Sequence, residues 1–188
     1  CGAASRARMA SNAAASSPGL AFVLGTIAHF GEDDWQDYWK RLVDNEVRVA
    51  ADWSDAYEAA YTVSGGDRPL VVSYGSSPPA EVFYSEGERT EPQREVIEAT
   101  CTEQVESAGV LVGTQRPEAA RALVVFLLSD ANQRSIPLAN FVFPIRDVET
   151  PEVFERFAVK AVDPLRLDPD EIAANRDRWT EQWRAIAG

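Results

Sequence analysis

The chain has 188 residues, of which 45% are apolar and 26% charged, as in ordinary globular proteins. This composition excludes a disordered, collagen-like or low-complexity chain. There are 30 acidic and 18 basic residues, so the formal net charge is -12. That charge argues against nucleic-acid binding and is compatible with a cationic ligand. The longest apolar run, residues 122–128, is far shorter than the ~20 residues that span a bilayer.

Residues 1–15 show neither hydrophobic periodicity nor the apolar stretch of a signal peptide. They are predicted to be a disordered tail or a remnant of tag cleavage, followed by a single α/β lobe over residues 16–188. As an alternative, Cys1-Gly2 fits the start of a mature lipoprotein, in which the cysteine carries the lipid. Cys1 and Cys101 allow at most one internal disulfide.

Capping residues and hydrophobic periodicity divide the remaining chain into alternating helices and short apolar strands. Helices are predicted from the cap Ser17 to Gly31, from Asp33 onward, from Trp53 to Ser64, from Ala80, over 117–129 and over 168–187. Strands are predicted at 47–49, 69–74 and 105–112, and residues 140–144 are predicted to form a loop or a short strand. This alternation favours an α/β layer architecture.

Large side chains at helical spacing are predicted to pack in the core. His29, late in the first helix, is predicted to be a packed or helix-end histidine. The predicted core positions are Trp35, Trp39, Trp179 and Trp183, together with Ala120, Leu123, Val124 and Leu127.

Two segments place paired serines before a proline-started helix: Ser16 with Ser17, and Ser76 with Ser77. Helix starts carry unpaired backbone N–H groups and partial positive charge, so hydroxyls beside them form either an N-cap or an anion site. The second pair directly follows a strand, and open α/β sheets bind ligands at the carboxyl ends of their strands. The residues by themselves leave both interpretations open.

Three aromatic residues lie where they could either pack in the core or stack on a planar ligand. Trp53 follows a strand on the first turn of a helix, Tyr74 ends a strand, and Phe141 follows Asn140 in a loop. A cationic heterocycle would suit Trp53 and Tyr74 through cation–π attraction.

The sequence contains no recognisable catalytic arrangement. It lacks a Gly-x-Ser-x-Gly elbow and a glycine-rich phosphate loop with lysine. Cys101 has no histidine to which the sequence would pair it, and His29 has no cysteine pair nearby for zinc. The chain is therefore predicted to be no enzyme and to hold neither a metal nor a cofactor.

Five short segments, occurring in a fixed order, carry a family resemblance. They are Ser-Ser-Pro-Gly-Leu at 16–20, Asp-Trp-Ser-Asp-Ala-Tyr at 52–57, Val-Ser-Tyr-Gly-Ser-Ser-Pro at 72–78, Ile-Pro-Leu-Ala-Asn-Phe-Val-Phe-Pro at 136–144 and Ala-Ala-Asn-Arg-Asp-Arg-Trp at 173–179. The series resembles the thiamine-binding proteins of bacterial ABC transporters, within a larger group that also holds ferric-iron and polyamine binders. The resemblance covers residues 16–188.

The resemblance implies an α/β lobe of the periplasmic-binding-protein type (type 2), with a mixed sheet and helices on both faces. The lobe would be the carboxyl-terminal one of two, and the amino-terminal lobe has no counterpart in this sequence. The implied function is the extracytoplasmic solute-binding component of an ABC importer. It would bind thiamine, its monophosphate or its diphosphate in an interlobe cleft and deliver it to a membrane permease. The implied location is periplasmic or extracytoplasmic, with a lipid anchor if Cys1 is the mature start.

The family pattern also implies roles for individual residues. Ser17, with Ser16 beside it, would bind the phosphate end of the ligand, and Trp53 would stack on a thiamine ring. The hydroxyl of Tyr74 would lie near the phosphate end, next to a loop that holds Ser76 and Ser77. Phe141 stands where some members have tryptophan, and it keeps the aromatic face without the indole N–H.

Two alternatives accompany this interpretation. A polyamine or other cationic ligand is one, because Asp52 and Asp55 flank Trp53. Iron is disfavoured, because the iron binders of the group use adjacent tyrosines and no such pair occurs here. The last alternative, from another class, is a fragment that binds no ligand and self-associates through the apolar face left by the absent lobe.

Overall fold

A computed structural model describes residues 8–188 of the chain. These residues divide into two compact units. The first unit runs up to Tyr74 and also includes Ile97–Glu103 and Ala161–Gly188, and the second unit consists of Gly75–Val96 and Gln104–Lys160. No helix within 8–188 is both long and apolar enough to cross a membrane.

A three-stranded parallel sheet forms one layer of the first unit, in the order β2-β1-β3. The strands are β1 Met9–Asn12, β2 Arg48–Ala50 and β3 Leu70–Val71. The prediction of a disordered tail over residues 1–15 is therefore wrong for residues 9–12, which form the central strand. Residues 1–7, which include Cys1, lie outside the described part of the chain. The expected mixed sheet is also corrected, because both pairings among the described strands are parallel.

Strand β1 escapes a search for apolar patterns because its side chains are small or polar. Ala10, Ser11 and Asn12 are nevertheless completely buried. Close backbone approach explains this burial: a Cβ added to Gly19 would lie 2.1 Å from the carbonyl oxygen of Ala13. Only a glycine lets the following helix pack so closely against the end of the strand.

Three helices supply the main core of the first unit, and their predicted existence is confirmed. They are α1 Ser17–Phe30, α2 Trp35–Asp44 and α7 Pro169–Ala187. Asp168 caps α7 by accepting the N–H of Asp170 at 2.8 Å. The four tryptophans predicted to pack are all buried in one cluster with Val23 and Ile27 of α1: Trp35, Trp39, Trp179 and Trp183.

Two indole N–H groups of this core have specific acceptors. Trp39 Nε1 donates to Thr26 Oγ1 at 3.0 Å. Trp179 Nε1 donates to a carboxylate oxygen of Glu32 at 2.7 Å, and Arg178 donates to the other oxygen at 2.6 Å. The hydrogen bond from Arg178, with that from Trp179, holds the pKa of Glu32 below its ordinary value, although burial acts in the opposite direction. His29 lies exposed in the last turn of α1 against the ring of Phe30.

The segment between β2 and β3 is wound differently from the predicted helix over 53–64. It forms a π-helix at Asp55–Ala60 and a 3-10 turn at Thr62–Ser64, which ends at Gly65 with φ 93°. π-Helical turns are rare and occur frequently at functional sites. This one carries the aromatic residues described below.

The second unit is helical and has little interior of its own. Its helices are α3 Ser77–Phe83, α4 Pro117–Leu127, α5 Asp130–Ala139 and α6 Glu152–Phe157. α3 packs against α6, and the buried ring of Phe154 meets Phe143 edge to face at 5.1 Å. α5 and α6 were not predicted from the sequence.

Two predictions for the second unit are wrong. Residues 105–112 form no strand, and Val105, Leu111 and Val112 are exposed. The face of α4 predicted to point inward is not fully buried, since Leu123 is 57% exposed and Ala120, Val124 and Leu127 are only half-buried. Whether residues 16–188 form one lobe of a larger protein stays a prediction.

A buried acidic side chain organises the segment after α3. The carboxylate of Glu81 is almost fully buried and forms an ion pair with Arg94 at 2.8 Å. It also accepts hydrogen bonds from Arg89 and from the backbone N–H of Gln93. Desolvation lowers the pKa of Arg94. This network fixes a glutamate-rich stretch that shows no hydrophobic pattern.

Candidate functional site

The start of α1 lies directly after the carboxyl end of β1, and Ser16, not Ser17, is its N-cap. The Ser16 hydroxyl accepts the N–H of Gly19 at 3.3 Å and donates to the carbonyl of Ala13 at 2.8 Å. Ser17 occupies the first helical position and is exposed. The prediction that Ser17 caps the helix is therefore wrong, because the extended backbone of Ser16 places its own side chain over the first turn. Of the two serines, Ser17 has the exposed hydroxyl at the positive end of the helix dipole.

Trp53 lies at the centre of an aromatic row in the first unit. Its indole stacks on the ring of Tyr57, with centroids 4.6 Å apart and planes 19° from parallel. The ring of Tyr74 lies 6.1 Å from the Trp53 indole and is tilted by 44° against it. Tyr61 extends the row beyond Tyr57 at 5.9 Å. The predicted pair Trp53 and Tyr74 is thus brought together after strands β2 and β3, which lie on either side of β1.

A hydrogen bond fixes the orientation of the central indole. Trp53 Nε1 donates to Ser73 Oγ at 2.9 Å. Ser73 precedes Tyr74, so one short segment after β3 holds the edge of the indole and supplies its aromatic neighbour. Tyr74 is 43% exposed and Trp53 half-buried. The row therefore combines fixed geometry with access to solvent, which a stacking platform for a planar ligand requires.

The carboxylates that flank Trp53 are engaged in local structure. Asp55 forms an ion pair with Arg48 at 2.7 Å, and Asp52 accepts the backbone N–H of Asp55 at 2.9 Å. A polyamine site needs carboxylates directed at ammonium groups. These two instead hold the start of the π-helix and the end of β2, so this geometry does not favour the polyamine alternative.

The remaining predicted site residues lie in the second unit. Ser76 and Ser77 are both buried at the start of α3, where no side chain forms an N-cap hydrogen bond. Phe141 has a left-handed backbone with φ 52°. Its ring lies 5.9 Å from Phe83 and 5.5 Å from Tyr84, both of which are exposed. The second unit thus has an aromatic cluster of its own, held by strained backbone at Phe141.

Three first-unit residues in or beside the aromatic row were not predicted as site residues: Tyr57, Tyr61 and Ser73. Tyr57 follows Trp53 by four positions, a spacing that places two side chains on the same side of a helix, so the sequence did contain a signal. The sequence contained no signal for Ser73, because its role depends on the tertiary structure that places its hydroxyl beside the indole N–H of Trp53. Tyr84 likewise depends on the contact that tertiary structure makes with Phe141.

The described residues give no sign of covalent or metal chemistry. No group of three or more His, Cys, Asp or Glu side chains in residues 8–188 could hold a metal ion. Burial, with the charge of Glu98, raises the pKa of the Cys101 thiol, which disfavours the nucleophilic thiolate. The arrangement can stack on and hydrogen-bond a ligand.

The parallel sheet of the first unit and the helices packed with it have an α/β fold of the periplasmic-binding-protein type, as a comparison with solved structures shows. A solved structure described as "Periplasmic thiamin binding protein" is similar over 99% of this chain and 57% of that one, with a TM-score of 0.80 and 27% identity. The predicted α/β fold class is thereby confirmed. No family model matches the sequence.

Curated relatives point to the same group. The chain is 32% identical over 177 residues to a thiamine-binding periplasmic protein of Salmonella typhimurium, covering 92% of this chain and 51% of that protein. It is 27% identical to the protein of the same name from Brucella abortus, covering 89% of this chain and 49% of that protein. The resemblance predicted from the sequence is confirmed, and the chain spans about half the length of the curated relatives it matches.

Proposed function

We propose that this chain is part of a solute-binding component of an ABC importer and that its ligand is thiamine or a thiamine phosphate. The observation that carries the proposal is the aromatic row, in which Trp53 is held by Tyr57 and Ser73 beside the exposed Tyr74. The names of the similar proteins support the same ligand. They describe binding proteins, which agrees with the expectation of no enzymatic activity and no cofactor.

The chemistry of thiamine suits this row. Its thiazolium ring carries a positive charge, and a cation over an indole face gains about 0.5–2 kcal/mol. One face of the Trp53 indole is covered by Tyr57, so a ligand ring would stack on the opposite face. The formal net charge of -12 favours the approach of a cation.

The other predicted residues complete the proposed site. Ser17 at the start of α1 would bind the phosphate end of the ligand, with Ser16 as the cap that fixes the helix start. Ser76, Ser77 and Phe141 are proposed contacts from the second unit. Since the relatives are about twice as long as the match, their remaining half would supply the other wall of the cleft.

The transport partners are part of this proposal. A periplasmic or extracytoplasmic location is supported by the names of the relatives. Delivery of the ligand to a membrane permease is proposed as the step that follows its capture. Attachment of a lipid to Cys1 concerns a residue outside the described range and stays a prediction.

Calorimetric titration tests the ligand directly. Thiamine and thiamine diphosphate are titrated into the wild type, into Trp53→Ala and into Tyr38→Ala, which removes an aromatic stacked on Phe30 in the helical core. We expect saturable heat in the wild type and in Tyr38→Ala, and none in Trp53→Ala. Equal binding by Trp53→Ala would contradict the proposed platform. Spermidine is titrated in parallel, and tighter binding of spermidine than of thiamine would favour the polyamine alternative.

A further inference from the structure

Helix α4 has the composition of an interior helix but lies on the surface. Seven consecutive apolar residues occupy 122–128, so the helix is apolar on every side beyond its first turn. Such a helix is normally surrounded by protein. Here Val125 is 69% exposed and Phe126 55% exposed, and no residue of α4 is buried.

The unit around α4 has hardly any hydrophobic interior. Apart from prolines, Phe154 is the one apolar residue of the second unit that is buried in the described structure. Both hydrophobic core clusters lie in the first unit. The second unit as described therefore has far too little buried apolar surface to offset the entropy of ordering its chain.

The uncovered region extends from α4 into the preceding segment. Residues Gly109–Thr114 and Ala120 line an open cavity of about 480 Å³ that no side chain fills. We use the name α4 surface for the exposed apolar residues of the helix, of the residue after it and of the preceding segment. They are Leu111, Val112, Leu123, Val125, Phe126 and Leu128. A contiguous apolar surface of this kind marks a site of protein contact.

We infer that the α4 surface packs against the polypeptide that corresponds to the half of the relatives that this chain does not span. The match covers 51% of the Salmonella typhimurium protein, so a segment of similar length has no counterpart in this sequence. A segment of that size can surround a helix on several sides. The inference rests on the proposed two-lobe organisation and not on the ligand.

A second copy of this chain fits the surface less well. A two-fold contact between two α4 helices would cover one narrow side of each, whereas the exposed Leu123, Val125 and Phe126 are spread over about half of the helix circumference. It would also bring together two molecules that each have a formal net charge of -12.

A chimera tests the inference. This chain replaces the matched half of the Salmonella typhimurium relative, and amide hydrogen exchange of α4 is compared with that of the isolated chain, with α1 amides as the reference for folding. We expect α4 exchange to slow by about tenfold or more in the chimera, since covered helices open less often. Leu123→Asp and Phe126→Asp should remove that protection, whereas Val43→Asp on α2, which is also exposed in the isolated chain, should not.

Two results would overturn the inference. One is rapid α4 exchange in a chimera whose α1 amides are protected. The other is a dimer of the isolated chain, seen by sedimentation velocity, that Phe126→Asp dissociates, because the occupant would then be a second copy. If the chimera does not fold, this chain and the unmatched half of the relative are co-expressed as separate polypeptides. Failure of the two to purify together counts against the inference. Thiamine titration of the same chimera is a separate readout. Protection of the α4 amides without thiamine binding would contradict only the proposal that thiamine is the ligand.

Discussion

Replacing Thr26 by valine removes the acceptor of a fully buried indole N–H at nearly constant side-chain volume. Trp39 is completely buried and donates to Thr26 Oγ1 at 3.0 Å, and the Thr26 hydroxyl in turn donates to the carbonyl of Val23 at 2.7 Å. Water cannot replace the lost acceptor, since Thr26 itself is 5% exposed. Leaving a buried donor unpaired costs about 1–3 kcal/mol. For a chain of this size that lowers the melting temperature by about 2–10 °C.

Urea unfolding of four proteins measures this effect: wild type, Thr26→Val, Trp39→Phe and the double variant. Phenylalanine has no N–H, so Thr26→Val should cost clearly less in the Trp39→Phe background, with a coupling of about 1 kcal/mol or more. Thr26→Ser keeps the hydroxyl and should retain most of the stability. Equal losses from Thr26→Val in both backgrounds would refute the role of this hydrogen bond.

Three further substitutions probe other parts of the fold and site. Glu32→Gln should cost about 1 kcal/mol at neutral pH, discounted for its exposure. The folded-state pKa of Glu32 lies below the ordinary 4.5, so its carboxylate contributes its full stabilisation above pH 4.5, and the cost of Glu32→Gln should shrink as the pH falls below that. Urea titrations at several pH values measure this, and a cost that does not change with pH would exclude the ion pair. Gly19→Ala should lower the melting temperature, because its Cβ would lie 2.1 Å from the carbonyl oxygen of Ala13; unchanged melting would show that the chain shifts freely there. Ser73→Ala should weaken thiamine binding by about fivefold through loss of one hydrogen bond to Trp53, and Ser73→Thr should restore it; equal affinities by calorimetry would remove Ser73 from the site.

Local sequence was sufficient for the elements of the first unit that carry strong signals. The apolar faces of α1, α2 and α7, with their tryptophans, predicted helices whose buried sides the structure confirms. Proline and capping residues located the helix starts within one or two positions. The resemblance of the five short segments identified the group of proteins, and Trp53 and Tyr74 do lie together.

Long-range packing decided what the sequence could not. β1 is buried because neighbours approach its backbone closely, although Ala10, Ser11 and Asn12 form no apolar pattern. Ser73 became the hydrogen-bond partner of Trp53 through the pairing of β1 with β3, which local propensity does not encode. The α4 helix shows the converse: its apolar run predicted an interior helix, but burial requires neighbours that exclude water, and in this chain Leu123, Val125 and Phe126 are exposed.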